Sequence, residues 1–305
     1  MSYMDTDPGL FSCRDTFLAH AVERLGTYPS DFPSTIAQIK ASGKSIAPRQ
    51  AAGVLLPLLF RKSSSGDHSA GRFVFQLIKR SSRVSQPGDL SCPGGMIHPI
   101  IDRLLRPLLI HGPFPIIRGQ ARIYASQREP AIRRIMTLFL VNALRESWEE
   151  IGLSPLRVRF LGPLPTYSLK HFRRTIFPLA GFVEKPGTLN PNREVEKIVE
   201  IPLVSFYEED LIGCYILSAP DPTDRNVLRS LQYPCLIHHD SNGGDEILWG
   251  ATFHILIQFL GIVMDYRLPD WEKGRVIHRT LHSDYLIGGS TSKRFFFLTE
   301  KGHND

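Results

Sequence analysis

Cysteine is scarce in this sequence and badly placed for pairing. The four residues, Cys13, Cys92, Cys214 and Cys235, form no CxxC spacing in a chain of 305, so neither a structural zinc site nor a disulfide framework is expected. Long apolar runs are also missing. A membrane-crossing helix takes about 20 apolar residues, and the best runs here, Ala51–Phe60 and Ile255–Met264, are half as long. Residues 1–15 carry early acids and no basic stretch leading into an apolar core, unlike a secretory leader. The closing His303, Asn304 and Asp305 match no retention or peroxisomal address. A cytoplasmic protein with no membrane partner is the resulting expectation. Charge of one sign is in short supply too: 36 Lys+Arg against 30 Asp+Glu leave +6, which permits phosphate-rich partners without demanding nucleic acid. With no recognition motif present, nucleic acid is not expected as a partner. What the chain does have is apolar mass. Its 42% hydrophobic and 22% charged residues suit a folded globular protein and exclude disorder as the main state.

Helices are expected over Asp15–Leu25 and Pro33–Ala41, separated by Gly26, Tyr28 and Pro29. Ala51–Phe60 reads as a buried strand, with Pro57 arguing for an edge or a bulge. The polar stretch Lys62–Gly71 would turn it into a second strand, Phe73–Lys79, as a hairpin. From about Ile97 to Leu140 the chain is proline-rich in its first half and strongly basic. Seven arginines (103, 106, 118, 122, 128, 133 and 134) face only Asp102 and Glu129. Pro130 stands at a first helical position, and Ala131–Ile151 reads as one long helix stopped by Gly152. Arg157–Leu161, Thr175–Glu184, Val195–Pro202, Gly213–Ser218 and Pro234–His239 read as strands. Glu246–Met264 carries Trp249, Phe253, Leu256, Leu260 and Val263 at helical spacing and reads as an amphipathic helix. The stretch from Arg267 onward has no clear period.

The chemistry concentrates in Arg145-Glu146-Ser147-Trp148-Glu149-Glu150-Ile151-Gly152. Glu146, Glu149 and Glu150 fall at i, i+3 and i+4, so a helix stacks three carboxylates on one face. Like charges so placed repel, and a divalent cation with hard oxygen ligands would compensate them. A merely solvated acidic face is the plain alternative. The preceding Pro93-Gly94-Gly95 turn and the Gly152 stop decide how this segment is read.

RExxEExG after a glycine-rich turn resembles the Nudix box of the Nudix hydrolases. Further segments resemble the coenzyme A diphosphatase branch in order and approximate spacing. They are Leu77-Ile78-Lys79-Arg80-Ser81, Pro87-Gly88-Asp89, Cys92-Pro93-Gly94-Gly95, Leu161–Leu164, Phe177–Gly181, Asn190–Val195, Ile201–Leu203 and Leu248–Thr252. The likeness runs from about Ala51 to Met264. Three departures stand out. Fifty positions separate Gly95 from Arg145, so a long insertion, about 97–135, interrupts the box. The family's acid shortly after the glycine has only Asp102 and Glu129 as candidates. Cys92 stands where Phe is usual, and Arg83 takes the place of the motif's second arginine.

The resemblance implies an α/β (α+β) fold, a Nudix-type α/β/α sandwich with a mixed curved sheet. The box helix and the Glu246–Met264 helix would lie on opposite sides. An N-terminal helical extension would span 1–48, the hydrolase domain 49–266 and a C-terminal tail 267–305. Glu146, Glu149 and Glu150, with a carbonyl of Gly94 or Gly95, would bind Mg2+ or Mn2+, and Arg145 would orient the glutamates. An activated water would attack phosphorus, the base being a box glutamate or Glu194. Arg80 and Arg83 would contact substrate phosphates. The implied substrate is coenzyme A or an acyl form, cut to 4′-phosphopantetheine and adenosine 3′,5′-bisphosphate. Another nucleoside diphosphate derivative, such as ADP-ribose, NADH or a dinucleoside polyphosphate, or a non-catalytic binding module, is the alternative. The basic insertion would serve as a lid, a packed decoration or a homodimer contact. Trp148 and Trp249 are expected in the core, Cys92 as a small packed residue, and His98, His111, His171, His238 and His239 in no ligand set.

Overall fold

A computed structural model of the chain describes residues 13–42, 50–62, 71–111, 116–169, 173–220, 228–240, 244–281 and 285. Its helices are α1 (Arg14–Thr27), α2 (Phe32–Ser42), α3 (Pro99–His111), α4 (Gln120–Gln127), α5 (Pro130–Ile151) and α6 (Gly250–Met264). Its strands are β1 (Gln50–Lys62), β2 (Gly71–Arg80), β3 (Leu90–Ser91), β4 (Gly94–Met96), β5 (Val158–Pro163), β6 (Tyr167–Leu169), β7 (Arg174–Val183), β8 (Val195–Pro202), β9 (Ile212–Pro220), β10 (Leu228–Asp240), β11 (Gly244–Trp249) and β12 (Arg275–Thr280). The expected mixed α+β class is what the chain adopts. Most of the polar turn over 62–71 and His171 lie outside the described residues.

β1 is the spine. It is buried without interruption from Ala52 to Leu59, as a strand covered on both faces must be. β7 runs parallel along one edge. Two antiparallel strands share the other edge: β4 against Ala52–Val54 and β2 against Leu58–Lys62. β3 and β8 extend from β2, and β5 and β6 from β7.

Pro57 does not make β1 an edge strand, contrary to the sequence expectation. Leu55 donates its N–H to Pro93 O at 2.9 Å, on the edge shared by β4 and β2. N–H groups two residues apart point the same way, so the donor Pro57 lacks would have pointed into the gap between those two partners. A central strand tolerates the proline because nothing pairs there.

Helices cover both faces. Gly53 is paired with Phe177 and Leu58 with Phe75. Positions 53 and 58 differ by an odd number, so the two aromatics point to opposite sides. On the first side Phe139 of α5 stacks on Phe177 with ring centroids 3.8 Å apart, and Phe32 of α2 meets both edge-on. On the second side Phe75 meets Phe259 of α6 and Phe206 edge-on, while Phe73 packs on Phe17 of α1. The box helix and the late helix therefore flank the sheet as expected.

The late helix starts later than its spacing implied. Residues 246–249 belong to β11, with Glu246 opposite His238 and Trp249 opposite Cys235. Gly250, at φ +66°, breaks the ladder and opens α6. β11 joins a second sheet of order β11-β10-β9-β12. Its last member, β12, comes from the stretch that showed no period and runs parallel to β9. Trp249 is half-buried between Tyr215 and Tyr233, whereas Trp148 is 53% exposed and not a core residue. Among the described residues no helix is long and apolar enough to cross a membrane.

Candidate functional site

α5 is bolted to the sheet just before its acidic end. The buried Asn142 amide accepts the Gly53 N–H at 2.8 Å and donates to Met96 O at 3.0 Å. Glycine at 53 is required for this approach: a Cβ there would stand 2.6 Å from the Asn142 oxygen and 2.7 Å from Phe139 O. One turn later the carboxylates reach the glycine turn. Glu150 accepts the Gly94 N–H at 2.9 Å. Glu146 lies so close to Gly95 that a Cβ on the glycine would meet its carboxylate at 2.5 Å. The expected meeting of box helix and glycine bend is present, with the Gly94 N–H bound to Glu150. Gly152, at φ +70°, ends α5 by returning its N–H to Ser147 and Trp148 carbonyls.

Arg145 ties the rest together. Its Nη2 donates to Glu146 at 2.8 Å, its Nη1 to Glu149 at 2.9 Å and its Nε to Asp102 at 2.8 Å. Asp102 is completely buried and also accepts the His98 N–H at 2.7 Å, closing the first turn of α3. Of the two acids the sequence left open, Asp102 joins the site and Glu129 stands exposed at the start of α5. The signal was its position as the one acid in the first turn of an otherwise apolar and basic helix.

Burial shapes the electrostatics. It pushes the Glu150 carboxyl up to about 8; the Gly94 N–H and Arg80 oppose the rise, while Glu146 and Glu194 add to it. Burial likewise raises Glu146, against the pull of Arg145. Burial also raises the Cys92 thiol, consistent with a packed residue rather than a nucleophile.

The loop 190–194 caps the same helix end. The Asn192 N–H donates to Glu150 O at 2.8 Å and its side-chain amide to Glu149 O at 3.1 Å. Glu194 follows, exposed, with its carbonyl accepting the Ser81 N–H at 2.9 Å. That bond places the end of β2 beside the box. Arg80 there is held by Ser85 O at 2.7 Å, and Arg83 is exposed on the following turn. The sequence missed Arg174, at the start of β7. Its Nε is buried with no hydrogen-bond partner among the described residues, and burial together with the neighbouring Arg80 charge lowers its proton affinity.

Among the described residues, no group of three or more His, Cys, Asp or Glu side chains converges tightly enough to hold a metal. Glu149 leans to solvent on Arg145 instead of closing on Glu146 and Glu150. By donor chemistry the set nevertheless fits a hard divalent cation: crowded, partly buried carboxylate oxygens with too little positive charge among them. A groove of about 520 Å3 between α1 and α6, lined by Arg24, Tyr28, Ile257 and Asp265 among others, shares no residue with this network.

No protein-family profile matches the chain. Solved structures that it overlaps include an Ap4A hydrolase from C. elegans in a binary complex, at 14% identity over 50% of this chain and 80% of that one, TM-score 0.29. A Nudix hydrolase from M. smegmatis, RenU, overlaps at 13% over 52% and 74%, TM-score 0.32. The NUDIX domain of Shewanella oneidensis NrtR, in complex with ADP ribose, does so at 12% over 56% and 86%, TM-score 0.30. Overlaps this weak assign neither family nor function, which rest on the residues themselves.

Proposed function

We propose that this chain is a Nudix hydrolase that cleaves a diphosphate linkage. The observation that carries the reading is Glu150, buried beside Glu146 at the glycine turn with, among the described residues, only the Gly94 N–H donating to its carboxylate. Glu146 and Glu150, joined by Glu149 on a small rotation away from Arg145, would hold Mg2+ or Mn2+. A bound divalent ion supplies charge neutralisation for phosphate oxygens and lowers the pKa of an attacking water. Arg145 keeps Glu146 and Glu149 aimed, and Asp102 keeps Arg145 in place. Arg80 and Arg174, guanidinium groups close enough that the Arg80 charge lowers the proton affinity of Arg174, offer phosphate contacts, with Arg83 farther out. Glu149 and Glu194 are the two carboxylates exposed enough to take a proton from water. The hydrolase unit spans 49–266 with its insertion at 97–135, and β12 completes its second sheet.

For the substrate we propose coenzyme A or an acyl-coenzyme A, giving 4′-phosphopantetheine and adenosine 3′,5′-bisphosphate. Support comes from Leu77–Ser81 and Cys92–Gly95, whose likeness to the coenzyme A motif falls on β2 and the glycine turn, beside the carboxylates. The test is turnover by purified protein with Mg2+ or Mn2+ on coenzyme A, acetyl-coenzyme A, ADP-ribose, NADH and diadenosine polyphosphates. Metal-dependent cleavage of the coenzyme A forms, lost in Glu149→Gln, is the expected result. Cleavage of another member alone would replace the substrate. Tight ligand binding without turnover would make the chain a binding module.

A further inference from the structure

The first residue of β7 carries a guanidinium that the fold leaves unsatisfied. Arg174 stands three positions before Phe177, an odd number, so it leaves the sheet on the α6 side, away from the box helix. Its Nε is buried and bonds to no described residue. No described carboxylate offsets the push of the neighbouring Arg80 charge. A half-buried guanidinium in that position is costly by itself and gains from an incoming anion.

β6 continues the same face. Leu169 lies opposite Arg174 and Tyr167 opposite Ile176, which makes Tyr167 the diagonal neighbour of Arg174, with Cα atoms about 7–8 Å apart. The Tyr167 ring meets His254 of α6 at a centroid distance of 4.7 Å, and His254 remains exposed. An aromatic pair beside a guanidinium suits a nucleoside that carries phosphate: the rings offer a face to the base and the fork offers donors to the phosphate oxygens.

Position selects which phosphate. Arg80 is near enough to pull on Glu150 and to push on Arg174. It therefore stands between the acidic turn of α5 and Arg174. A diphosphate held at the carboxylates would meet Arg80 first, and Arg174 would be left for a phosphate farther along the substrate. Coenzyme A carries such a group on its ribose, outside the linkage that is cut.

We propose that Arg174 binds the ribose phosphate of coenzyme A, with Tyr167 and His254 against its adenine, and so selects coenzyme A over the dephospho form. For its substrate this rests on the hydrolase reading above.

The test compares turnover of coenzyme A and dephospho-coenzyme A. The wild type should favour coenzyme A by about tenfold or more in kcat/KM, the difference lying in KM. Arg174→Gln should bring the two forms within about twofold, and Arg174→Lys, which keeps the charge without the fork, should fall between. Melting curves of the metal-free chain give a readout that needs no turnover. Adenosine 3′,5′-bisphosphate should raise the wild-type melting temperature more than adenosine 5′-monophosphate does, and the two should act alike on Arg174→Gln. Without ligand the variant should melt no lower than the wild type, because Arg174 has no bond among the described residues to lose. Equal cleavage of both forms by the wild type, or a preference that survives Arg174→Gln, overturns the proposal and leaves the hydrolase reading standing. If neither form is cleaved, the coenzyme A reading fails and the melting shifts decide alone: equal shifts by the two nucleotides overturn the Arg174 site, and a larger bisphosphate shift lost in Arg174→Gln upholds it.

Discussion

Asp89 and Glu150 are both carboxylates pressed into the interior, yet their surroundings are opposite. Asp89 is outnumbered by donors. Arg279 reaches it at 2.7 Å, Trp249 Nε1 lies at 3.4 Å, and the Tyr285 hydroxyl donates to its second oxygen. Arg279 also holds Pro87 O at 2.9 Å and sits over the Tyr285 ring. Burial raises the Asp89 carboxyl, and its leading neighbours all pull it down again. This cluster clamps β12 and Tyr285 onto the loop before the glycine turn. Around Glu150 the balance is reversed: among the described residues, Asp102, Glu146, Glu149 and Glu150 have Arg145 and two backbone N–H donors, those of His98 and Gly94, between them, with Arg80 pulling on Glu150 as well. A balanced cluster stabilises a junction, whereas an acidic excess is a place waiting for a cation.

Glu150→Gln should divide the two most sharply. Turnover should fall by about 10² to 10⁴-fold, the range for losing a group that handles charge or protons. The metal-free chain should become more stable. The sign follows from the raised carboxyl: the unfolded glutamate ionises near 4.5 while the folded one holds its proton to about 8. Wild-type stability therefore falls relative to the variant as pH climbs through that window and levels off above it. Melting curves from pH 4.5 to 8.5 check this, and parallel curves for the two proteins would break the contrast.

Asp89→Asn should act the other way, lowering stability by about 3 kcal/mol because it strands Arg279. Chemical denaturation reads it, and an unchanged midpoint would mean that the junction is not clamped by charge. Next in size comes Asp102→Asn, which releases Arg145 and should weaken Mn2+ affinity or turnover by about 10- to 100-fold. Calorimetric titration distinguishes this from a simple stability loss. Smallest of all, Trp148→Ala should shift stability by less than about 0.5 kcal/mol, since the indole is exposed although it lies inside the acidic turn.

Much of this architecture could be read before any coordinates. β1, β2 and β7 are apolar runs buried on both sides, and α5 carries its own proline start and glycine stop. The carboxylates and the glycine turn were legible for the same reason: short-range spacing places them. The misses were long-range in origin. Glu246 fits helix and strand periods alike. The ladder to β10 and ion pairs with Lys79 and Lys197 make it a strand residue. β12 is too short and exposed to show a pattern. α3 hides behind Pro107 and an apolar face turned outward, and the Arg145 partner of Asp102 lies 43 positions away. Arg174 joins the site only through the pairing of β7 beside β1.

Pro57 has one last implication. With no N–H to offer at that point, β1 presents a blank rung between β4 and β2, so neither neighbour can creep along it without losing a bond. The imino acid thus works like a knot in a rope, fixing how far the glycine bend can travel and so keeping it level with the acidic turn of α5.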